Sequence, residues 1–196
     1  MKLSMLEIIS IVQTVVQIVF AYVAIMGLSV WKKQFKGNQD HNLARSLLNN
    51  LYKYRVALFA VRNPLTGDEY PVFSEKELKI MMPGDKNYRK YQYIYKQRWQ
   101  KVQDLRVQLD ELMLEAMALW PGLLLEDKMK KIYFLEKKLW IELTQFIENQ
   151  NPQTEGKIKY DNAIIYDSWD EKDLFRIKVE TIIEEINNLL CPKLIL

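Results

Sequence analysis

His41 and Cys191 are the only histidine and the only cysteine in 196 residues. A zinc site asks for three or four such ligands, and a di-metal helical site asks for Glu-x-x-His pairs on two helices. Neither set is available, so Glu111 with Glu115 and Glu184 with Glu185 read as solvated acidic pairs. His41 follows Asp40, a residue suited to cap a helix start, and reads as a helix-start residue. Cys191 precedes Pro192 at a helix end, has no histidine in sequence reach, and reads as a small buried hydrophobe. Gly-x-Ser-x-Gly is missing, and six scattered glycines form no phosphate-cradling loop. The expectation is a protein that is not an enzyme and holds no metal and no cofactor.

The other chemistry on offer is charge beside aromatic rings. The net +3 hides a segregation, because residues 86–101 hold six bases and no acid: Lys86, Arg89, Lys90, Lys96, Arg98 and Lys101. They interleave with Tyr88, Tyr91, Tyr93, Tyr95 and Trp99. Such a mixture suits a nucleic-acid backbone whose bases stack on the rings. Against that, Tyr88, Tyr91, Tyr95 and Trp99 fall on a core-facing helical seam, and Asp68, Glu69, Glu75 and Glu77 stand ready to pair with the bases. The favoured reading is a solvated, partly paired face. Joined by Arg55 and Arg62, it becomes the candidate surface for a cytoplasmic protein, with nucleic acid the weaker reading.

Something must position that surface, and the first element is a membrane span. Ile8 to Val30 is 23 residues without a charge, about 34 Å as a helix against a hydrocarbon core of about 30 Å. A cleaved signal peptide would have a shorter apolar run and small residues before the cut. Trp31 sits where an interfacial aromatic belongs, and Lys32, Lys33 and Lys36 follow as a basic patch for an anionic leaflet. Basic residues on the C-terminal side predict a single pass through a bacterial inner membrane, N-terminus outside and body in the cytoplasm. At 100° per residue, Ser10, Gln13, Thr14, Gln17, Ala21 and Ala24 share an arc of about 100°. Amides and small residues on one side point to lateral association, with further copies of the chain or with a partner membrane protein.

The remainder predicts helices. Asp40 to Arg62 carries Leu43, Leu47, Leu51, Tyr54 and Leu58 at helical spacing and stops at Asn63-Pro64. Ser74-Glu75-Lys76-Glu77 reads as a capping box opening a short helix that ends at Pro83-Gly84. A long helix from about Asp85 to Trp120 has the seam Tyr91, Tyr95, Arg98, Val102, Leu105, Leu109, Leu112, Ala116 and Leu119. Pro121-Gly122 turns it back into a helix over about Leu124 to Glu148, with Leu125, Met129, Ile132, Leu139, Leu143 and Phe146 inward. Residues 157–166 read as a small β-hairpin or an extended strap. Ser168-Trp-Asp-Glu171 reads as a second capping box, opening a last helix with Phe175, Val179, Ile182, Ile186 and Leu189. The expected fold is all-α: residues 1–31 the transmembrane anchor, 32–39 a basic juxtamembrane linker, and 40–192 an elongated antiparallel four-helix, coiled-coil-like bundle.

This order of parts resembles a group of uncharacterised bacterial single-span membrane proteins. The likeness rests on Trp31-Lys32-Lys33-Gln34-Phe35-Lys36-Gly37, on Leu43-Ala44-Arg45, and on Tyr52-Lys53-Tyr54-Arg55 before Arg62-Asn63-Pro64. It covers residues 8–64 by motif and the rest by layout. The resemblance implies the anchor and the helical cytoplasmic body, and no activity. The function expected is a membrane-anchored interaction or scaffold module. The alternatives are an effector that perturbs the bilayer by clustering its span, and a membrane tether for nucleic acid through 86–101.

Overall fold

The computed structural model describes residues 5–65, 69–168 and 172–194, with side chains from residue 13 onward. The chain is all-helical, with no strand among the described residues. In order come α1 (Met5–Arg62), α2 (Glu75–Ile80), α3 (Asp85–Leu119), α4 (Leu125–Glu148), α5 (Asn162–Ile165) and α6 (Leu174–Leu190), closed by a 3-10 turn over Cys191–Lys193.

Helix α1 has 58 residues, about 87 Å at 1.5 Å per residue. It runs unbroken through 32–39, so the stretch expected to be a linker is helix. Asp40 caps nothing: it lies inside α1, and its carboxylate accepts a hydrogen bond from Trp120 Nε1 at 2.9 Å. The cap reading fails because no proline stops the helix upstream, and one Gly37 costs only about 1 kcal/mol. His41 is likewise a mid-helix residue. Among the described residues, α1 is the one helix long and apolar enough to cross a membrane.

The two parts of α1 live differently. Residues 13–36 are exposed throughout. From residue 43 the helix joins a core, burying Leu43, Ala44, Leu47, Leu48, Leu51, Tyr54 and Leu58 at three- and four-residue steps. The same core takes Tyr95, Val102, Leu109 and Ala116 from α3, Ile132, Leu139 and Leu143 from α4, and Val179, Ile183 and Ile186 from α6. Seam ends are where periodicity misleads. Leu119 is exposed and Trp120 is buried in its place, while Leu190 rather than Leu189 is fully buried. Cys191 is exposed, not buried, because it begins the 3-10 turn beyond α6.

Side-chain contacts give the directions. Asp40 meets Trp120 at one end of α1, and Arg98 meets the carbonyl of Asn63 just beyond the other, so α3 returns along α1. Tyr133 bonds Asp110 and Trp99 lies beside Trp140, so α4 runs back along α3. Arg55 pairs with Glu180 and Arg62 with Asp173, so α6 opposes α1. At mid-height one acid is buried: Glu136 accepts from Tyr54 Oη at 2.7 Å and from Arg106 at 3.2 Å, which compensates its desolvation.

The first capping box forms as expected, Ser74 Oγ accepting from Glu77 N–H and the Glu77 carboxylate from Ser74 N–H. The second does not open the last helix. Asp173 caps α6 by accepting from Arg176 N–H at 2.9 Å, and Trp169–Glu171 lie outside the described residues. The β-hairpin reading of 157–166 is corrected to the strap. Its backbone finds side chains instead of a second strand: Asn149 both accepts from Ile158 N–H at 2.7 Å and donates to Ile158 C=O at 2.6 Å. Glu142 takes Asp161 N–H, and α5 gives one helical turn that buries Ile164 and Ile165.

Candidate functional site

The end of the body remote from Trp31 gathers the last turn of α1, the start of α3, the end of α4, the strap and the start of α6. Two of the arginines assigned by sequence to a partner surface are inside it. Arg62 has a fully buried side chain and donates to the carbonyls of Ala163, Ile164 and Tyr166 at 2.7–2.9 Å, as well as to Asp173 at 2.8 Å. Its guanidinium also sits 4.6 Å from the Phe175 ring centre. Arg98 is buried to 9 % exposure and donates to the carbonyls of Ala60, Asn63 and Pro64 and to Glu69. It satisfies carbonyls that the end of a helix leaves open. Both arginines therefore hold the fold and are unavailable to a partner. A planar fork with five donors suits this work where a lysine would not.

The buried acid that Arg62 meets responds accordingly. Burial alone would push the Asp173 carboxyl up, but the Arg176 N–H and the Arg62 guanidinium outweigh it and hold the carboxyl below its ordinary range. Beside it Arg176 pairs with Asp167. In the middle of the body the phenols go the other way. Burial, reinforced by Glu136, raises Tyr54 well above the usual range, and burial with Asp110 does the same for Tyr133.

The other six bases divide among different sides. Arg55 pairs with Glu180 on the α1–α6 side. Lys101 lines an α1–α3 depression with Tyr52, Lys53 and Val56. The Lys90 ammonium lies 3.4 Å from the Tyr70 ring centre, and Lys86 is exposed near the start of α3. Arg89 and Lys96 share a concavity. They line a groove of about 650 Å³ between α3 and α4, floored by Trp99 and Trp140 and edged by Tyr93 and Glu148. The two indoles lie 4.6 Å apart, tilted 31°. Trp99 is buried, whereas Trp140 is 40 % and Tyr93 48 % exposed.

Apolar surface continues from the groove toward the other end of the body. Stepping 100° per residue puts Val107 and Leu114 of α3 on the groove side of their helix and Ile141 of α4 beside the groove's edge, while Phe134 of α4 points away from the core. These four are 58, 68, 44 and 69 % exposed. Sequence reasoning missed the α4 half. Its signal was there: Phe134, Trp140 and Ile141 are large apolar residues off the seam made by Met129, Ile132, Leu139 and Leu143.

At the N-terminal end, Gln13, Thr14, Gln17, Ala21 and Ala24 are exposed on α1, and the Ser10 side chain lies outside the described residues. Lys32, Lys33 and Lys36 are exposed, and the Trp31 and Phe35 rings stack at 5.6 Å. Among the described residues no group of three His, Cys, Asp or Glu side chains is placed to hold a metal ion. Compared with models of protein families, with curated proteins and with solved structures, the chain matches none of them.

Proposed function

We propose that this chain is a membrane-anchored interaction module. The apolar half of α1 spans a bacterial inner membrane with the N-terminus outside. The rest is an elongated antiparallel four-helix bundle in the cytoplasm. One observation carries the reading: along a single helix, residues 13–36 are exposed, while from residue 43 onward one face is sealed into a core. A soluble helix with a bare apolar face that size would aggregate; a lipid bilayer is the solvent that suits it. The Gln13/Gln17 side of the span associates laterally with further copies or with a partner membrane protein. Lys32, Lys33 and Lys36 meet the anionic leaflet.

The surface offered to a cytoplasmic protein is the α3–α4 groove, with Tyr93 and Trp140 as half-exposed anchors and Arg89 and Lys96 as its cationic edge. Aromatic residues ringed by charge suit a protein partner. Tethering restricts that encounter to the membrane surface and multiplies weak contacts. The nucleic-acid reading loses ground, since Arg98, Tyr95 and Trp99 are buried and cannot reach a strand.

Fractionation with protease protection tests the proposal. The full chain should stay with membranes through alkaline carbonate, and protease added to whole cells should leave the body intact. Recovery in the soluble fraction without detergent, or digestion of the body from outside, overturns it. Expression should leave membranes dye-tight. Leakage that Gln13→Leu with Gln17→Leu abolishes would favour the bilayer-perturbing effector instead.

A further inference from the structure

The groove side of α3 carries two rows of side chains at seven-residue steps. One is Arg89, Lys96, Gln103 and Asp110; the other is Tyr93, Gln100, Val107 and Leu114. Seven residues fall only about 20° short of two full turns, so each row stays on one side of the helix. From Tyr93 to Leu114 the second row is about 32 Å long. The α3–α4 groove opens along its first half, lined by Arg89, Tyr93, Lys96, Gln100 and Gln103 against Trp140 of α4. Val107 and Leu114, both exposed, carry the stripe onward as an apolar surface.

Charge along this stripe is matched on one side only. Glu148 accepts from Tyr88 Oη at 3.2 Å and Asp110 from Tyr133 Oη at 2.6 Å, so both acids have a donor of their own. Among the described residues no carboxylate is paired with Arg89 or Lys96. The Glu77 carboxyl is lowered chiefly by its hydrogen bonds with Ser74, and Arg89 only adds to that. Beyond Gln103 the sign changes, with Glu111 standing one turn from both Val107 and Leu114. An occupant that answers this pattern brings carboxylates to the start of α3 and apolar side chains further along. Rows that repeat every seven residues suit a helix, whose own side chains return to one face at three- and four-residue steps. An extended peptide repeats its face every two residues and matches neither row. A nucleic-acid strand would meet two bases and then an apolar surface.

We propose that the α3–α4 groove receives one amphipathic helix of a cytoplasmic protein, acidic where it meets Arg89 and Lys96 and apolar where it meets Tyr93, Trp140, Val107 and Leu114. The proposal rests on reading the groove as the surface offered to a partner, and adds the partner's element and its charge. The occupant lies along α3 as a further helix of about three heptads. Arg89 and Lys96 are at the end of the body remote from Trp31, which keeps the partner's carboxylates away from an anionic leaflet.

Two labelled synthetic helices test this by fluorescence anisotropy, against the full chain in phosphatidylcholine nanodiscs with empty nanodiscs as the blank. Each has three heptads with leucines along one stripe; one flanks them with glutamates in its first half, the other with lysines. The glutamate helix should bind, and lose affinity as salt is added. The lysine helix should bind about tenfold less tightly or worse. Arg89→Glu with Lys96→Glu should reverse that order, and Val107→Ser with Leu114→Ser should weaken the glutamate helix about tenfold. These side chains are exposed, so the melt of the body checks that each variant is folded. Equal binding of both helices, still weakened by Tyr93→Ser, overturns the acidic partner and leaves the groove as a docking surface. Binding that neither Tyr93→Ser nor the charge reversal alters places the docking surface elsewhere, and overturns the groove reading as well. Failure of the glutamate helix to bind overturns the proposal. So does its displacement by an equal concentration of single-stranded oligothymidine, which would make the groove a nucleic-acid site.

Discussion

Arg62 and Arg98 look like neighbours of a basic surface in sequence, and are the two groups on which the distal end closes. Arg62→Gln removes a charge from a wholly buried site and strands Asp173 with three backbone carbonyls. Breaking such a pair typically costs about 3–5 kcal/mol. Urea melts of the full chain in detergent should show that loss, whereas Lys96→Glu, on the surface, should stay within about 0.5 kcal/mol. The titrating groups add a pH profile. The Asp173 carboxyl is lowered in the fold, so its stabilisation is complete above its ordinary range and fades as pH falls through its folded value. Tyr54, Tyr95 and Tyr133 are raised, chiefly by burial. Above about pH 10 the unfolded phenols ionise while the folded ones do not, so each removes about 1.4 kcal/mol per pH unit. Melting temperature should therefore fall steeply on the alkaline side, and Tyr54→Phe should make that slope shallower even as it costs Glu136 a donor.

At the scale of elements, what could be read from residue order was whatever repeats with helical period and is sealed on one side. The α4 seam from Met129 to Phe146 matches buried positions, and the α3 seam from Tyr95 to Ala116 does so except at Leu105 and Leu112, which are half-buried while Met113 is buried, because burial on one helix face leaves a periodic trace. Three things left no such trace. The strap over 157–166 alternates like a strand, yet Asn149 and Glu142 already occupy its backbone. The groove between α3 and α4 is made by residues off both seams, Tyr93 on one helix and Trp140 on the other, that only tertiary packing brings together. The continuity of α1 through Gly37, Asn38 and Asp40 was hidden by local residues that favour helix ends, and local preference is a weak force beside a helix already formed on either flank. That continuity is measurable. Spin labels at Leu28 and Asn49 should report a narrow distance distribution near 32 Å, the rise of 21 helical residues. Gly37→Pro, which removes a helix hydrogen bond and clashes with the turn before it, should broaden the distribution without shifting the melt of the body, since residues 36–39 bury nothing in the core.

For the whole molecule the proposed reading asks how the apolar part of α1 and the helical body act together. One continuous helix is shared by both, so on the proposed reading whatever pairs the spans also sets the separation and facing of two α3–α4 grooves. The proposed association through Gln13 and Gln17 would rest on interhelical amide hydrogen bonds, each worth about 0.6 kcal/mol in a membrane. Two or three of them across a pair of helices give about 1–2 kcal/mol, roughly a 5- to 30-fold change in dissociation constant. Gln13→Leu with Gln17→Leu should weaken self-association by that factor in energy-transfer titrations in vesicles, and leave the melt of the body unchanged, since those side chains touch none of the core. Val15→Leu with Val19→Leu, on the opposite side of the helix, should leave association where it was. Equal loss from both pairs would mean that the apolar bulk of the span, and not its amide side, brings the copies together. The grooves would then have no fixed facing, and a divalent partner would gain nothing from the tether beyond proximity.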